Sequence, residues 1–457
     1  MKLPGYVLSC IRALEAAGFQ AWTVGGCVRD ACLGREPHDY DLCTDALPRQ
    51  TAGVFSEHTL ILAGEKHGTV GVVCQGQVVE ITTFRREGDY PDSRHPRWVE
   101  FVPELREDLA RRDFTVNAMA YSPERGLADP FGGREDLARH VLRAVGDPRL
   151  RFTEDALRIL RGIRFSARFG LTPEPQTLKA MEELAPRVRL LAPERIFDEL
   201  CKLLPVVTSE DLLRFGPILG EIIPELKPTL GFDQRNPHHR LDLFSHIAQV
   251  VQGVPPTLPL RWAALLHDIG KMETFTVDAQ GCGHFYGHAQ AGAAMARRIL
   301  TELKAPTALR ERVVLLVEQH MTYPAPEKKQ IRRRMSRLGE EAFFELLALQ
   351  EADTGGKGRD DGEGQAYFDR VRELARQIRQ DRECLSLKDL AVNGHDLLAL
   401  GLKGRTVGLC LNRLLDLVLE EQVPNTREGL LAAVNEMRPE LPGEQTTEAH
   451  SEMEEML

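Results

Sequence analysis

The residues whose types and spacing most clearly suggest a chemical function lie near the N-terminus. Gly25 and Gly26 follow a short apolar run, residues 20–24, and precede a stretch that can begin a helix. Glycine lets phosphate oxygens approach bare backbone N–H groups, and a helix N-terminus adds favourable partial charge. Arg29 adds a planar fork of donors that suits phosphate. The pattern therefore predicts a strand, a phosphate-binding turn and a helix.

A pair of carboxylates follows this turn. Asp39 and Asp41 are two residues apart on an expected strand, so both side chains should point to one face. Mg²⁺ binds oxygen ligands and keeps positions open for substrate phosphates, so the pair suits two such ions. Glu80 lies in a predicted hairpin that turns at Gln75-Gly76. It is either a third carboxylate facing the ions or part of a polar strand face.

Each of these motifs alone is usually a turn, but their order and spacing are specific. Gly-Gly-x-Val-Arg-Asp-x-x-Leu-Gly-Arg-x-x-x-Asp-x-Asp, from Gly25 to Asp41, resembles the signature of the class II CCA-adding tRNA nucleotidyltransferase and bacterial poly(A) polymerase family. The resemblance implies an α+β fold, with a polymerase-beta-like palm and mixed β-sheet in the head and helices beyond it. It also implies template-independent addition of C, C and A to the tRNA 3′ end from CTP and ATP.

The resemblance and the charge pattern together predict five segments. The final residues, 440–457, contain six Glu and no Lys or Arg, which is typical of a disordered tail. The expected segments are a nucleotidyltransferase head (1–150), a helical neck that binds nucleobase and RNA (151–235), an HD-type phosphohydrolase-like domain (236–360), a helical tRNA-binding tail (361–437) and the acidic tail (438–457).

Two further stretches of the head resemble the family. In the second family motif, Asp108 to Asn117, the resemblance implies that Arg112 contacts the nucleotide; the alternative is a surface Arg pair beside an Asp helix cap. Residues 85–96 are polar and punctuated by Gly and Pro, which predicts a loop around Tyr90. The family needs a loop here to add the terminal A, so its presence disfavours an enzyme restricted to adding CC.

Residues 152–168 have a helical pattern that carries Asp155 and Arg158 three positions apart. A carboxylate that accepts from an exocyclic amine, with a guanidinium that donates to a ring nitrogen, would accept C and A and reject U and G. The alternative is a helix-stabilising ion pair. The family uses a Glu-Asp-x-x-Arg motif for base selection, which assigns Asp155 and Arg158 to the base, with Arg161 and Arg164 near the phosphates.

A second group of residues begins near residue 236. Any one of its histidines alone would be a core residue, but the sequence from Ala263 to Lys271 resembles the core of HD-type phosphohydrolases. The resemblance implies a divalent transition metal and water activated to attack a phosphate. The alternative is a structural domain without turnover. The implied ligands are His246, His267, Asp268 and Asp353 for one ion, with His288 and His320 for a second.

The length and composition of the chain limit which other classes of protein it can belong to. The 457 residues suffice for roughly three domains, and no apolar run is as long as a membrane span. Pro4 and Arg12 interrupt the N-terminal run, which argues against a signal peptide. The nine cysteines include no Cys-x-x-Cys pair, which is typical of a reducing compartment, so we expect a cytoplasmic protein without a membrane partner.

The net charge of −10 argues against a protein that simply coats nucleic acid, although Arg and Lys gather in two runs. Such runs are usually solvated helix faces. The runs are Arg143, Arg149, Arg151, Arg158, Arg161, Arg164 and Arg168, and then Lys328, Lys329, Arg332, Arg333, Arg334 and Arg337.

Three rival functions stay open from the sequence. An A-adding enzyme or a poly(A) polymerase would share the same head. An HD-domain phosphohydrolase could act on phosphoesters, including 2′,3′-cyclic ends. A tRNA-binding protein with little catalysis is the third possibility.

Overall fold

The structure is a computed structural model that describes residues 1–88, 98–236, 240–356 and 363–437. The chain forms two compact units, Met1–Val314 and Leu315–Leu457. The predicted acidic tail (438–457) and the predicted loop around Tyr90 lie outside the described residues. Among the helices that are described, none combines the length and apolar character needed to cross a membrane.

The first unit contains the β-structure. A mixed sheet has the strand order β3-β4-β5-β2-β1-β8-β9, in which only β2 and β5 pair in parallel among the described pairs. This confirms the predicted α+β fold with a mixed sheet. The strands are β1 (Ala21–Val24), β2 (Asp41–Thr44), β3 (Thr59–Ile61), β4 (Thr69–Cys74), β5 (Gln77–Thr83), β6 (Arg85–Gly88), β7 (Trp98–Phe101), β8 (Ala120–Ser122), β9 (Gly126–Ala128), β10 (Val141–Leu142), β11 (Thr172–Pro173), β12 (Thr276–Val277) and β13 (Gly283–His284).

Helices surround the sheet and make up the rest of the first unit. They are α1 (Gly5–Ala16), α2 (Gly26–Cys32), α3 (Pro48–Val54), α4 (Leu105–Ala110), α5 (Gly133–Ala138), α6 (Pro148–Glu154), α7 (Leu157–Phe169), α8 (Pro175–Leu184), α9 (Pro193–Leu203), α10 (Ser209–Ile222), α11 (Leu243–Gly253), α12 (Leu258–Leu266), α13 (Lys271–Thr274) and α14 (His288–Glu302). Helix α15 (Thr307–Gln319) contains the boundary between the units.

The core of the head explains why its short strands are stable. All four residues of β1 are buried, as expected for a central strand covered on both faces. Trp22 and Val24 of β1 pack in one apolar cluster with Cys43, Phe84 and Leu109. The predicted hairpin is confirmed, because β4 and β5 pair around Gln75 and Gly76, both with positive φ.

The structure corrects the start of the loop predicted for residues 85–96, while residues 89–96 lie outside the described part of the chain. Residues Arg85–Gly88 form β6, which pairs antiparallel with β7. The charged side chains that suggested a loop instead pair with one another: Arg85 Nε donates to Glu87 Oε1 at 2.6 Å. A Cβ on Gly88 would lie 2.3 Å from the Trp98 ring, so the glycine allows the ring to cover the strand. Polar composition therefore concealed a short strand.

The structure also corrects the continuous helix predicted for residues 152–168. Helix α6 ends at Glu154 and α7 begins at Leu157, because Asp155 has the extended dihedral angles φ −141° and ψ 103°. Its Oδ1 accepts the N–H of Leu157 at 3.0 Å. A short acidic side chain that bonds the backbone two residues on is a common way to end one helix and start another.

The second unit is helical within its described residues. Its helices after α15 are α16 (Lys328–Leu338), α17 (Glu340–Gly356), α18 (Glu363–Gln380), α19 (Gly394–Ala399), α20 (Arg405–Leu419) and α21 (Arg427–Met437). Gly355 and Gly356 end α17. Gly401 and Gly404, both with positive φ, lie between α19 and α20.

Candidate active site

The glycine turn is built as the sequence predicts. Gly25 joins β1 to α2 with φ +79°, a conformation that favours glycine. Its N–H donates to the carbonyl of Met119 at 3.1 Å. A Cβ there would lie 3.0 Å from Nη1 of Arg112. Gly25 therefore allows an arginine to lie directly against the backbone where α2 begins at Gly26.

The predicted metal-binding carboxylates lie near the N-terminal end of β2 and on its neighbour β5. Asp41 is the first residue of β2 and pairs with Val24, whereas Asp39 precedes the strand, so only one aspartate of the pair is on a strand. Glu80 lies on β5, whose Ile81 pairs with Leu42, which places Glu80 beside Asp41. The pKa of Asp41 is raised, first by partial removal of the carboxyl from water and then by the negative charges of Glu80 and Asp39.

These carboxylates have the donor chemistry of a divalent-cation site. Oxygen ligands are those that Mg²⁺ prefers, and mutual repulsion between carboxylates is relieved by a bound cation. Burial is the first cause of the raised pKa of Asp41, and the negative charges of Glu80 and Asp39 add to it. The residues therefore fit the divalent ions that the sequence implied.

An open cavity of about 360 Å³ connects the glycine turn, Asp41 and α7. Six arginines line it, which makes it an anion-binding surface. The lining residues are Gly25, Gly26, Arg29, Asp41, Arg111, Arg112, Asp113, Asn117, Asp155, Leu157, Arg158, Arg161, Phe165 and Arg195. Most of the predicted nucleotide-binding residues are thus brought together, whereas Arg164 is not part of this lining.

Arg29 has buried partners on both sides of its guanidinium. Its Nη1 donates to Asn117 Oδ1 at 2.6 Å and its Nη2 to Asp30 at 2.7 Å. The group also lies 4.3 Å from the centre of the Phe169 ring. Burial lowers the pKa of Arg29, although Asp30 opposes that effect. Part of its donor fork is therefore committed to holding α2 against Asn117.

Asp113 continues this network and was overlooked in the sequence. Asn117 Nδ2 donates to Asp113 Oδ1 at 3.0 Å, and Arg161 Nη2 lies 2.7 Å from Asp113 Oδ2. Although burial acts in the opposite direction, Arg161 and Asn117 hold the pKa of Asp113 at about 2. Asp113 is therefore an ionised anchor that fixes Arg161 at the cavity wall.

Arg112 is oriented by a buried carboxylate. Its Nη2 lies 3.4 Å from Asp108 Oδ2, and Arg111 Nη2 lies 2.9 Å from Asp108 Oδ1. Asp108 is fully buried, which would raise its pKa, but the two arginines lower it below its ordinary value. The alternative reading of Arg112 as a surface residue is not supported, because it lies in the cavity lining against Gly25.

Asp155 and Arg158 both line the cavity but hold different partners. Arg195 Nη2 lies 3.0 Å from Asp155 Oδ2. Arg158 Nη1 donates to Glu154 Oε2 at 2.7 Å, and its Nη2 donates to the carbonyl of Arg111 at 3.0 Å. The ion pair of Arg158 therefore joins the start of α7 to Glu154 at the end of α6. No pattern in the sequence indicated that Asp155 would pair with Arg195.

Arg164 forms a buried pair outside the cavity lining. Its Nε donates to Glu199 of α9, and its guanidinium lies 4.5 Å from the centre of the Phe165 ring. Its assignment to the phosphates stays a prediction. Helix α9 starts at Pro193 and brings Arg195 to the cavity. The sequence signal that could have identified Arg195 was its position as a charged residue in the first turn of a helix that starts with proline.

A second group of buried residues lies in the first unit near α11 to α14. Nε2 of His246 and Nε2 of His267 are 3.3 Å apart, and each is 3.3 Å from Asp268 Oδ2. His288 Nε2 lies 3.4 Å from Asp268 Oδ1, and Lys271 Nζ lies 2.7 Å from Oδ2. His267, Lys271 and His246 hold the pKa of Asp268 well below its usual range despite burial.

The histidine rings are oriented for ligation. His267 Nδ1 lies 2.8 Å from the carbonyl of Ala264, and His288 Nδ1 lies 2.8 Å from the carbonyl of Phe285. Carbonyl acceptors at Nδ1 direct Nε2 of each ring inward, as in many metal sites. His320 and Asp353 belong to the second unit, where both are buried, and their assignment as ligands stays a prediction.

Comparison with known proteins places the fold in a defined class. Residues 21–143 match the family model of the poly A polymerase head domain, which makes the chain a nucleotidyltransferase. Residues 170–228 match the model of an RNA- and SrmB-binding site of polymerase A, and residues 283–434 match that of tRNA nucleotidyltransferase domain 2.

Individual relatives narrow the class. A CCA-adding enzyme from Levilactobacillus brevis is 34% identical over 431 residues, covering 93% of this chain and 96% of the relative. The one from Leuconostoc mesenteroides is 49% identical over 191 residues, covering 42% of this chain and 47% of the relative. The crystal structure of the Bacillus stearothermophilus CCA-adding enzyme in complex with CTP aligns with a TM-score of 0.73 at 28% identity, covering 96% of this chain and 98% of that one. The chain belongs to the family of CCA-adding enzymes.

Proposed function

We propose that this protein adds C, C and A to the 3′ end of tRNA, with CTP and ATP as substrates and without a nucleic-acid template. The observation that carries the proposal is the single cavity that joins Gly25, Asp41, Arg112 and Arg158. Family membership supports the same reaction, and the Bacillus stearothermophilus relative was crystallised with CTP.

In the proposed reaction the 3′-hydroxyl of tRNA attacks the α-phosphate of the nucleotide. A new P–O bond forms, the bond to the β-phosphate breaks, the hydroxyl proton is lost and pyrophosphate leaves. Nucleotidyltransferases of this family use divalent metal ions, and we propose Mg²⁺ held by Asp39, Asp41 and Glu80. When bound, such ions lower the pKa of the attacking hydroxyl and neutralise the leaving group.

The triphosphate would lie along the glycine turn. The backbone N–H groups near Gly25 and Gly26 begin α2, and Arg112 lies against that turn. Arg161, fixed by Asp113, adds positive charge at the cavity wall. Arg29 lines the same cavity and also holds α2 in place. Arg164 would act from behind Phe165, on which its guanidinium packs.

Base selection would come from Asp155 and Arg158. Asp155 would accept a hydrogen bond from the exocyclic amine of C or A, and Arg158 would donate to the ring nitrogen. Uracil and guanine present a carbonyl oxygen in place of that amine, so the carboxylate would repel them. Arg195, which holds one oxygen of Asp155, would keep the carboxylate pointing into the cavity.

The decisive experiment is incorporation of labelled CTP and ATP, separately and together, into tRNA that ends before CCA. We expect ordered addition of C, C and A that then stops, and its loss in Asp39→Ala with Asp41→Ala. Asp45→Ala is the matched control, because Asp45 instead bonds the backbone and side chain of Gln20. Addition of A alone to tRNA ending in CC would indicate an A-adding enzyme, and long A tracts would indicate a poly(A) polymerase.

The state of the cysteines indicates the cellular compartment in which the protein works. All nine cysteines are free thiols, which supports work in a reducing compartment, and we propose the cytoplasm. The partners are then tRNA and the two nucleotides.

A second candidate function rests on the buried cluster of His246, His267, Asp268 and His288. Imidazole nitrogens and a carboxylate are ligands for divalent transition metals. We propose that these residues hold such an ion for phosphoester hydrolysis, with 2′,3′-cyclic ends as candidate substrates. The ion would supply an activated water, and Lys271, 2.7 Å from Asp268, would keep that carboxylate ionised and in place.

The two activities can be separated by mutation. His267→Ala with Asp268→Ala should abolish hydrolysis of a 2′,3′-cyclic phosphate and leave nucleotide addition within about twofold of the unsubstituted protein, because the residues do not line the head cavity. His395→Ala, at an exposed histidine, is the control. Loss of both activities in the double variant would contradict two independent sites.

A further inference from the structure

A short hairpin between α13 and α14 carries three different metal-ligand types. Strands β12 and β13 pair antiparallel, and the connection between them contains Asp278 and Cys282, with His284 at the end of β13. One ligand atom of each residue lies within 4.8 Å of the other two. A carboxylate, a thiol and an imidazole thus converge on one point.

The backbone fixes the carboxylate in place before any ion binds. Asp278 Oδ1 accepts the N–H groups of Gln280 and Cys282 at 3.0 and 2.8 Å. The N–H of Asp278 donates to the carbonyl of Cys282 at 3.0 Å, which closes the turn. Only Oδ2 is left facing the imidazole, and it lies 2.7 Å from His284 Nε2. The turn therefore delivers one carboxylate oxygen and one ring nitrogen to the same place.

The imidazole is oriented from its other side. The His284 ring stacks on Tyr286 with ring centres 5.4 Å apart and planes 8° from parallel. The Tyr286 hydroxyl lies 3.5 Å from His284 Nδ1. Support of this kind at Nδ1 leaves Nε2 as the ligand atom. The side chains of His284 and Asp278 are 30% and 33% exposed, so an ion could reach them from solvent and keep a water ligand.

From this geometry we propose that Asp278, Cys282 and His284 form a binding site for a divalent transition ion of the Zn²⁺ class. Zinc takes thiolate, imidazole and carboxylate ligands at about 2.0 to 2.3 Å, in a tetrahedral arrangement. The three ligand atoms already lie within 4.8 Å of one another, so small side-chain rotations would bring them onto one ion. Binding replaces the Asp278–His284 hydrogen bond and removes the proton of the Cys282 thiol. Mg²⁺ lacks affinity for the thiolate and imidazole of such a set.

The site would brace a segment that leads to the buried histidine cluster. The N–H of Gly283 donates to the carbonyl of Arg235 at 2.8 Å, and Asn236 Nδ2 donates to the carbonyl of Gly283 at 2.9 Å. Gln234 Oε1, one residue earlier, accepts from Lys271 Nζ at 2.9 Å. An ion on the hairpin would therefore hold residues 234–236 in place. The proposal is independent of nucleotide addition.

The test is a Co²⁺ titration of the full, metal-free chain with reduced thiols, followed by absorption. A thiolate-to-cobalt charge-transfer band should appear and saturate, and it reports the hairpin alone, since the buried histidine cluster contains no thiol ligand. Cys282→Ser should remove the band, and His284→Ala should weaken Co²⁺ binding about 100-fold. Cys201→Ser, at a half-buried thiol on α9, is the matched control and should keep the band.

Competition with other metal ions and hydrogen-exchange measurements complete the test. Zn²⁺ should displace Co²⁺, whereas millimolar Mg²⁺ should not, and His267→Ala with Asp268→Ala should leave the band intact. Zn²⁺ should also slow hydrogen exchange of residues 276–286 in the full chain but not in Asp278→Asn, which keeps the thiol. A band that never forms, persists in Cys282→Ser or is displaced by Mg²⁺ would overturn the proposal, as would unchanged exchange with Zn²⁺.

Discussion

Two arginines show how similar side chains acquire different roles. Arg158 and Arg332 are 11% and 12% exposed, and each binds a carboxylate and a backbone carbonyl. Arg332 donates to the carbonyl of Leu419 at 2.8 Å and lies 3.1 Å from Glu383, so it satisfies the end of α20. Arg158 has equally good partners but also faces a cavity of about 360 Å³. Burial and pairing alone therefore do not separate a binding arginine from a structural one.

The wider runs repeat this contrast. On α16, Lys328, Lys329, Arg332 and Arg333 all pair with carboxylates of the second unit, which makes that run a set of helix-to-helix contacts. On α7, Arg158, Arg161 and Arg164 also pair with carboxylates, but Arg158 and Arg161 line the cavity with Arg112 and Arg195. What distinguishes the runs is the open space in front of the guanidinium groups, because only there can a polyanion be added.

The largest effect that tests the contrast is on catalysis. Arg158→Ala should lower kcat/KM for CTP and ATP on tRNA by about 100-fold, because a charge-assisted bond to the base is lost in the reacting complex. Arg332→Ala is the matched control and should change kcat/KM by less than about twofold. Steady-state incorporation of labelled nucleotides measures both. Equal losses in the two variants would show that both arginines act through stability.

The second-largest expected effect is on stability and concerns Asp113, which holds Arg161 of α7 in place. Asp113→Asn should lower the free energy of unfolding by about 2 kcal/mol at pH 7, since a pKa of about 2 in the folded state lies below the ordinary 3.8. A depressed carboxyl pKa stabilises the fold fully above pH 3.8, and that stability is lost as the pH falls towards 2. The difference between the two proteins should therefore shrink by roughly half at pH 3.

Urea unfolding of Asp113→Asn at pH 7, 5, 4 and 3 measures this dependence. Asp211→Asn is a suitable comparison, since Asp211 accepts hydrogen bonds from the N–H and the hydroxyl of Thr208 at the exposed start of α10. A constant difference between Asp113→Asn and the unsubstituted protein from pH 7 to 3 would contradict the ionised anchor.

The smallest effect is on the second unit. Arg332→Ala should lower the free energy of unfolding by about 1 to 2 kcal/mol, because buried carbonyls at the end of α20 lose a charged donor. Arg333→Ala should cost less than about 0.5 kcal/mol, because Arg333 is 49% exposed and its pair with Glu420 is solvated. Denaturant midpoints of the two variants give the order, and a larger loss in Arg333→Ala would reverse the assignment of roles.

Local signals in the sequence predicted much of the head. Gly25-Gly26 and the hairpin turn at Gln75-Gly76 depend on backbone conformation, which glycine reports directly. The interruption at Asp155 was missed because helical periodicity continues on both sides of it. The pairing of β6 with β7 was missed because paired charges and loop charges have the same composition.

The candidate site was less accessible because its partners are distant along the chain. Asp113 with Arg161, and Asp155 with Arg195, join residues 48 and 40 positions apart. No spacing rule for one helix or strand links such residues. Arg195 was not recognised as a site residue for this reason, whereas Asp155 and Arg158 were found through a motif rather than through geometry.

The carboxylate of Asp155 has one further consequence. Its Oδ1 is held by the N–H of Leu157 and its Oδ2 by Arg195, so the group has lost its rotational freedom in the folded protein. A nucleobase that meets a fixed carboxylate does not have to order it, and the entropic cost of recognition was incurred during folding. A mismatched base cannot be accommodated by turning the group aside. If Asp155 reads the base as proposed, the rigidity of this interruption between two helices would set how steeply the binding free energy rises for the wrong base.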